Sequence, residues 1–276
     1  MFIRTNSTVL QVTERTHIMG ILNITPDSFS DGGQYDGVMK AVAHAKEMER
    51  AGADIIDVGG ESTRPDHAPV TAEIEIERVV PIIEALKKEI TIPISIDTYK
   101  AATAEAAIQA GAEIINDIWG AKHDAQMAHV AAKYDVPIIL MHNRSNKVYH
   151  SLMKEMVEDI EESIRIVTDA GVKQDKIIID PGIGFGKELV DNYIVMNELD
   201  RLIAQLPYPL LLGASRKSFI ANVLPIRAAD RDNATAATTC LGIARGAHII
   251  RVHDVERNVE LAKMMDAMLR GVGIDG

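Results

Sequence analysis

The stretch Ala51-Gly52-Ala53-Asp54-Ile55-Ile56 recurs in altered form as Ala110-Gly111-Ala112-Glu113-Ile114-Ile115 and as Gly246-Ala247-His248-Ile249-Ile250. In each copy a glycine suited to the left-handed cap of a helix is followed by apolar residues typical of a strand. The residues directly after the three isoleucine pairs are all polar, namely Asp57, Asn116 and Arg251. Because these positions are equivalent, we expect the three side chains to share one rim at the carboxyl ends of three strands.

This alternation of helix and strand continues along the chain. Short apolar runs, typical of strands covered on both faces, lie at 18–24, 55–58, 92–96, 114–118, 137–141, 177–179, 210–212 and 249–252. Helical patterns lie at 38–50, 73–88, 101–110, 125–134, 152–170, 188–204, 234–245 and 255–269. These units predict an α/β fold, a single (β/α)8 TIM barrel. The alternative, a doubly wound sheet, would carry a glycine-rich phosphate turn after its first strand, and residues 23–27 do not form one.

Residues 1–16 stand outside the repeat. They alternate weakly between polar and apolar residues, which predicts a hairpin-like N-terminal extension closing the bottom of the barrel. The length of 276 residues fits one barrel, so we predict a single domain over 1–276. Two long loops, 25–37 and 59–70, follow strands, on the side of this fold where loops carry function.

The composition excludes several classes of protein. Apolar residues make up 47% and charged residues 25%, as in ordinary globular proteins rather than collagen-like, disordered or disulfide-framework chains. An excess of acidic residues, 40 against 29 basic ones, argues against a general nucleic-acid surface. Cys240 has no second cysteine with which to form an internal disulfide. Polar residues interrupt the apolar ones within positions 1–20, which argues against a signal peptide or a membrane-spanning helix there. We expect a soluble cytoplasmic protein with no nucleic-acid or membrane partner.

Polar side chains stand at or just past the ends of the apolar runs: Asn23, Asp57, Asp97, Asn116, His142, Asp180, Ser215 and Arg251. Carboxylates and amides pair with the N–H and C=O groups of a heterocycle, so this ring predicts a site for a polar heterocyclic ligand. The alternative, that some of these groups only cap helices or tie loops together, stays open above all for Asp57 and Asp117.

Basic residues gather after the last two runs, in Ser215-Arg216-Lys217-Ser218 and Arg251-Val252-His253. Barrels often bind phosphate there, so we expect a phosphate or diphosphate, gripped by an arginine fork; a solvated basic surface is the alternative. The glycine-rich stretch 180–187 lacks P-loop spacing. It is interpreted either as a plain turn or as a close approach to a flat ligand, with Phe185 as an apolar wall.

Four motifs together resemble the bacterial dihydropteroate synthase family of the folate pathway: MGILNITPDSFSDGG at 19–33, DVGGESTRP at 57–65, DPGIGFGK at 180–187 and GASRKS at 213–218. The resemblance continues through 95–98, 115–118, 141–142 and 251–254 in the family's order, so it covers essentially the whole chain. It implies a pterin-binding barrel and a transferase that is a sulfonamide target. The implied reaction joins p-aminobenzoate to 6-hydroxymethyl-7,8-dihydropterin diphosphate and releases 7,8-dihydropteroate and pyrophosphate.

The resemblance also implies roles for individual residues. The pterin-binding residues would be Asp97, Asn116, Asp180, Lys217 and Arg251, and the catalytic ones Asp97, Asp180, Lys217 and Arg251. Asn23, Arg251 and His253 would hold the diphosphate with Mg2+, and Asn23 would be the protein ligand of that metal. The residues near p-aminobenzoate and on the loops would be Phe29, Asp31, Thr63, Arg64, Pro65, Phe185 and Ser218. The sequence departs from the family after Pro65, where Asp66 replaces a glycine, so the path of the second loop is in doubt.

The family further implies a homodimer, formed through helices near the C-terminal end. Loss of diphosphate from a pterin methylene suggests a dissociative, SN1-like path. Two alternatives remain open. A pterin-dependent methyltransferase barrel would need no diphosphate pocket, and a non-catalytic pterin-binding relative should have lost Asn23, Lys217 or Arg251, all of which are present.

Overall fold

The computed structural model describes residues 1–24, 33–61 and 69–273. Within these ranges ten β-strands are formed: β1 Ile3–Arg4, β2 Val9–Leu10, β3 His17–Asn23, β4 Ile55–Gly59, β5 Ile94–Asp97, β6 Ile114–Asp117, β7 Ile138–Met141, β8 Ile177–Asp180, β9 Leu211–Leu212 and β10 Ile249–Val252. The short apolar runs of the sequence therefore do form strands, most of them four or five residues long.

Helices follow the strands of the large sheet. In the described part of the chain they are α1 Gly33–Arg50, α2 Ala72–Glu89, α3 Ala101–Ala110, α4 Met127–Tyr134, α5 Leu152–Asp169, α6 Leu189–Asn197, α7 Leu199–Gln205, α8 Ser218–Ala221, α9 Asp232–Ala244 and α10 Val255–Arg270. Among these helices, none is both long enough and apolar enough to cross a membrane.

The large sheet closes on itself. Its strands run in the order β8-β7-β6-β5-β4-β3-β10-β9, and each pairs in parallel with its neighbours. A parallel bridge between Ile179 and Leu210 joins the two edges of this sheet. The predicted (β/α)8 barrel is therefore confirmed.

Successive side chains of each strand point alternately into the barrel and out toward the helices. On β4, Ile56 and Val58 pack in the outer core under the helices, whereas Ile55 belongs to a separate apolar cluster inside the barrel. Asp57 therefore points inward as well. The same alternation directs Asp97, Asn116, Asp180 and Arg251 inward, at the carboxyl ends of their strands.

The N-terminal hairpin closes the opposite end of the barrel. Strands β1 and β2 pair antiparallel, with Ile3 opposite Leu10. These two residues and Val12 are buried in one cluster with the inward residues of the strands, which are Met19, Ile55, Ile114, Ile139, Ile178, Leu211 and Ile249. The predicted hairpin-like extension is confirmed, and it packs against the amino ends of the barrel strands.

The structure differs from the predicted helices in two regions. The expected helix 188–204 is two helices, because Glu198 adopts φ −107° and ψ 20° between α6 and α7. Val195 of α6 and Leu202 of α7 are both buried. The short helix α8 was not expected from the sequence, since its four residues are too few to show helical periodicity.

His248 joins the last two barrel strands from inside the protein. Its main-chain N–H donates to Leu210 O at 2.9 Å, and its Nδ1 accepts from Leu210 N at 3.1 Å. Burial lowers the pKa of His248 to about 4, so the ring is neutral at neutral pH and Nδ1 can accept a hydrogen bond.

We predict that His248 makes the fold sensitive to acid. Between pH about 6.5 and about 4 the unfolded chain takes up a proton at this histidine and the folded chain does not, so the free energy of unfolding falls as the pH falls. His248→Asn keeps an acceptor in place of Nδ1 and should flatten the decline of Tm across this window. The control is His129→Asn, at an exposed histidine. An unchanged slope in His248→Asn would contradict the prediction.

Candidate active site

Arg251 links three strands at the carboxyl end of the barrel. From β10 its Nε donates to Asp57 Oδ2 on β4 at 2.6 Å, and its Nη2 donates to Asp97 Oδ2 on β5 at 2.7 Å. Both carboxylates are buried, and they hold the pKa of Arg251 above its ordinary value despite its burial. The sequence predicted that an arginine fork binds a phosphate. In this structure the Nε–Nη2 edge of Arg251 instead bonds two carboxylates.

Asp57 is the centre of this arrangement. Its Oδ2 also accepts from Asn116 Nδ2 on β6 at 3.0 Å, so one oxygen orients two neighbouring side chains. The sequence left open whether Asp57 and Asp117 only tie loops together. For Asp117 the structure shows that loop role, since its carboxylate accepts from Trp119 N and Ala121 N. Asp57 instead anchors Arg251 and Asn116.

Three buried oxygen atoms in the barrel interior have no hydrogen-bond partner among the described residues. They are Asp57 Oδ1, Asp97 Oδ1 and Ser95 Oγ. A buried polar atom without a partner destabilises the folded state by about 1–3 kcal/mol, so hydrogen bonds from N–H groups of a ligand would be favourable here. Ser95 was not singled out from the sequence, although its position two residues before Asp97 on the same strand places it on the inward face.

Asp180 and Lys217 form the second half of the site. The Oδ1 of Asp180 accepts from Gly182 N at 2.7 Å. Lys217 Nζ donates to Ile183 O and lies 4.7 Å from the centroid of the Phe185 ring. Phe185 is half-buried, so the glycine-rich loop 181–187 does bring an aromatic face to the charged cluster.

Gly213 marks the point where this half meets Arg251. A Cβ built at Gly213 would lie 3.8 Å from Asp180 Oδ2, 3.9 Å from Lys217 Nζ and 3.9 Å from Arg251 Cδ. Gly213 belongs to the GASRKS motif, but no role was predicted for it from the sequence. Its place directly after β9 is the signal that could have revealed it.

Burial dominates the electrostatics of the cluster. It raises the pKa values of Asp97 and Asp180, although Arg251 opposes this at Asp97 and Lys217 opposes it at Asp180. Burial also lowers the pKa of Lys217 to about 8. Strongly perturbed acids and a perturbed base at one end of a barrel are typical of a functional site.

The predicted basic segment divides into inward and outward residues. Arg216 turns away from the cluster and pairs with Asp232 through Nε at 2.7 Å and Nη2 at 2.8 Å. Ser215 Oγ lies 2.9 Å from His253 Nδ1, so the ends of β9 and β10 are joined there. Ser218 is exposed at the start of α8. The structure therefore brings Lys217 and His253, but not Arg216, to the inward cluster and its edge.

Asn23 is the residue that the resemblance implies as the protein ligand of Mg2+. It is exposed at the end of β3, and a Cβ built at Gly59 would lie 3.5 Å from Asn23 Oδ1 and 3.7 Å from Asp97 Oδ2. In the described ranges no group of three or more His, Cys, Asp or Glu residues could hold a metal ion. An amide oxygen with few protein partners fits Mg2+, which commonly keeps several waters and substrate phosphates as ligands.

The predicted ring of polar residues also includes His142, and the predicted p-aminobenzoate site includes residues of two loops. His142 is buried behind the glycine-rich loop, where its ring contacts Lys187 and Asp159. The loop residues expected near p-aminobenzoate lie outside the described residues, namely Phe29, Asp31, Thr63, Arg64 and Pro65.

Comparison with known proteins agrees with this geometry. Residues 19–253 match the family described as pterin binding enzyme. The chain is 54% identical over 272 residues to dihydropteroate synthase from Bacillus subtilis (strain 168), covering 99% of this chain and 95% of that protein. It is 57% identical over 260 residues to dihydropteroate synthase from Clostridium beijerinckii, covering 94% and 96% respectively.

Solved structures show the same likeness. Dihydropteroate synthase from Clostridium difficile, crystallised in the presence of pteroic acid, superposes with a TM-score of 0.90 at 50% identity, covering 93% of this chain and 97% of that one. The Xanthomonas albilineans enzyme with 4-aminobenzoic acid gives a TM-score of 0.91 at 36% identity, covering 98% and 99%. The chain therefore belongs to the pterin binding enzyme family and within it to the dihydropteroate synthases.

Proposed function

We propose that the chain condenses p-aminobenzoate with 6-hydroxymethyl-7,8-dihydropterin diphosphate, giving 7,8-dihydropteroate and pyrophosphate, with the site residues and metal described here. The observation that carries the proposal is the inward cluster of Asp57, Asp97, Asn116, Asp180, Lys217 and Arg251 in a chain this similar to dihydropteroate synthases. Pterin-dependent methyl transfer and non-catalytic pterin binding are less well supported, because basic residues for a diphosphate are also present.

The pterin would bind deep in the barrel. Asp97 Oδ1 is a buried acceptor without a partner among the described residues, and Asp180 Oδ2 lies in the same cluster. These oxygens suit the ring N–H and amino groups of a pterin, whereas Asn116 can both donate and accept. The Phe185 ring and the stem of Lys217 provide an apolar face for the flat heterocycle.

The diphosphate would lie closer to the mouth of the barrel. Lys217 and Arg251 carry positive charge there, and His253 sits beside Ser215 at the ends of β9 and β10. Asn23 would hold Mg2+, which when bound neutralises charge on the phosphate oxygens. Since Arg251 is tied to two carboxylates, it would act on the diphosphate chiefly through its charge and its remaining Nη1.

Carbon–oxygen cleavage would come first. As the bond between the pterin methylene and the diphosphate breaks, its electron pair leaves with the diphosphate and positive charge develops on the methylene carbon. Asp97 and Asp180 stabilise that charge, and Lys217, Arg251 and His253 stabilise the leaving group. The amine of p-aminobenzoate then attacks the carbon and loses a proton. Phe29, Asp31, Thr63, Arg64, Pro65 and Ser218 would bind or enclose p-aminobenzoate, as the family resemblance implies.

The purified protein should form dihydropteroate only when both substrates and Mg2+ are present, with one pyrophosphate released per product. A substrate labelled with 18O in the carbon–oxygen–phosphorus bridge tests the path. If cleavage precedes amine attack and is reversible, the label should move to non-bridging positions without p-aminobenzoate. Product without scrambling would refute reversible dissociation but not the synthase activity. Pterin binding without any product would instead favour a non-catalytic or methyl-transfer protein.

Asp57 should matter for catalysis although it need not touch the substrate. Asp57→Asn replaces an acceptor shared by Arg251 and Asn116 with a group that also carries N–H donors, so both partners should lose their orientation. We expect kcat/KM for the diphosphate substrate to fall about tenfold or more, which is about 1.4 kcal/mol.

The matched control is Asp54→Asn, at the opposite end of the same barrel wall. Asp54 is also buried, and it accepts from Ile18 N at 2.8 Å and from Arg15. This variant should lower Tm yet keep kcat/KM within about twofold of the parent. Equal kinetic losses in both variants would show that Asp57 acts only through stability.

We further propose that residues 1–276 work as one pterin-binding barrel domain, in the cytoplasm, and as a homodimer. Exposed apolar side chains on α6, on α9 and in the turn after α8 support the dimer: Leu189, Val190, Ile194, Val223, Leu224 and Leu241. These elements adjoin, since Tyr193 of α6 bonds to Phe219 O of α8 and α6 packs on α9. Exposed apolar side chains on adjoining elements are typical of a subunit contact.

Sedimentation should therefore give a dimer, and Val190→Asp should give a monomer. Val190 is 64% exposed, so this change should not disturb the fold of one subunit. Met268→Asp, on the exposed apolar side of α10, is the control and should leave the dimer intact. A dimer broken by Met268→Asp but not by Val190→Asp would move the interface to α10.

A further inference from the structure

A chain of hydrogen-bonded titratable side chains, buried at Lys187 and His142, lies behind the glycine-rich loop and takes no part in the mechanism above. It runs from Lys187 at the end of the loop, through His142 after β7, to Asp159 on α5. Lys187 Nζ lies 2.8 Å from His142 Nδ1, and His142 Nε2 lies 2.9 Å from Asp159 Oδ2. Arg144 then closes the chain on the solvent side, bonding both Asp159 and Glu155.

Lys187 reaches back into its own loop. Its side chain is buried, and Nζ donates to Gly182 O at 3.0 Å and to Phe185 O at 3.1 Å. With His142 Nδ1 as the third acceptor, the three hydrogens of the ammonium have three partners. A buried ammonium with every donor used holds both ends of the turn 182–185 in place.

The proton positions in this chain follow from the partners. An ammonium can only donate, so His142 Nδ1 must accept, and Nε2 then carries the hydrogen that Asp159 receives. This requires a neutral ring, and burial does lower the pKa of His142 to about 4. The pKa of Asp159 is also held below its ordinary value, because hydrogen bonds from His142 and Arg144 outweigh its burial.

The loop is also pressed against the segment that carries His142. A Cβ built at Gly182, where φ is +66°, would lie 2.0 Å from His142 O. A Cβ built at Gly186 would lie 2.6 Å from Arg144 N. The loop backbone therefore packs directly against residues 142–144, and Lys187 bonds across that contact.

Two members of the candidate active site depend on the loop in this position. Gly182 N bonds to Asp180 Oδ1, and Ile183 O accepts from Lys217, whose ammonium lies over the Phe185 ring. All three of these loop groups lie on the turn that the Lys187 ammonium bridges. A change in the position of Lys187 would therefore move the loop groups that bond Asp180 and Lys217.

We propose that Lys187 is a positioning residue, whose ammonium, supported by His142 and Asp159, fixes the turn 182–185 and thereby the placement of Lys217 and Phe185. This inference rests on the proposed function for its kinetic readout, but it makes a separate structural statement. Burial lowers the pKa of Lys187 to about 7 although Asp180 opposes this, so the ammonium form predominates below that pH and the kinetic comparison belongs there.

The test is Lys187→Met, which keeps the length of the side chain and removes the ammonium. We expect kcat/KM for the dihydropterin diphosphate to fall about tenfold or more, with the larger part in KM, since Lys217 and Phe185 lose their fixed position. The matched control is Lys176→Met at the other end of β8. Lys176 is equally buried and donates to Arg4 O at 2.9 Å, far from the site, so its loss should lower Tm and leave kinetics within about twofold.

A spectroscopic readout separates positioning from general stability. With fluorophenylalanine incorporated, the 19F resonance of Phe185 can be assigned by its loss in Phe185→Leu. It should shift or broaden in Lys187→Met and stay unchanged in Lys176→Met. This measurement needs no turnover, so it tests the inference even if the wild-type protein fails the synthase assay. An unchanged Phe185 resonance with unchanged KM would overturn the inference.

Two variants at His142 provide a second route if Lys187→Met does not fold. His142→Asn places an amide oxygen near the position of Nδ1 and retains an acceptor for the ammonium, whereas His142→Leu removes it. We expect His142→Asn to retain a lower KM and a more native Phe185 resonance than His142→Leu. Equal behaviour of the two variants would show that the bond from Lys187 to His142 does not position the loop.

Discussion

A closed parallel barrel has one interior, and each strand contributes to it only every second residue. This constraint decides which side chains of the protein can meet. The inward positions near the amino ends are apolar and packed, and those near the carboxyl ends are Asp57, Asp97, Asn116, Asp180 and Arg251. Because the interior offers little water, each of these groups must find a partner on another strand or in a ligand.

That requirement explains the pairing at the site. Arg251 is stabilised by two carboxylates, yet Asp57 and Asp97 each keep one buried oxygen without a partner among the described residues. One oxygen of Asp57 thus accepts two bonds, whereas the second oxygens of Asp57 and Asp97 stay available to a ligand. A site of this kind binds by supplying acceptors that are already oriented, so the ligand loses little free energy to rearrangement of the protein.

Much of this could be predicted from sequence, because strands in a barrel repeat a pattern. The Gly-to-isoleucine junctions correctly placed Asp57, Asn116 and Arg251 on one rim, and the family resemblance indicated the chemistry. The pattern could not show which way Arg216 turns, since its pairing with Asp232 depends on the packing of α9. Nor could it reveal the role of Lys187, because its partners His142 and Asp159 come from distant parts of the chain and meet only in the folded protein.

The N-terminal hairpin restricts how ligands reach the interior of the barrel. With Ile3, Leu10 and Val12 packed against the apolar interior residues at the amino end, the polar cluster opens only toward the carboxyl ends of the strands. A ligand bound near this opening blocks the exit of a ligand bound deeper in the barrel. Under the proposed function, both substrates therefore enter and both products leave through that opening.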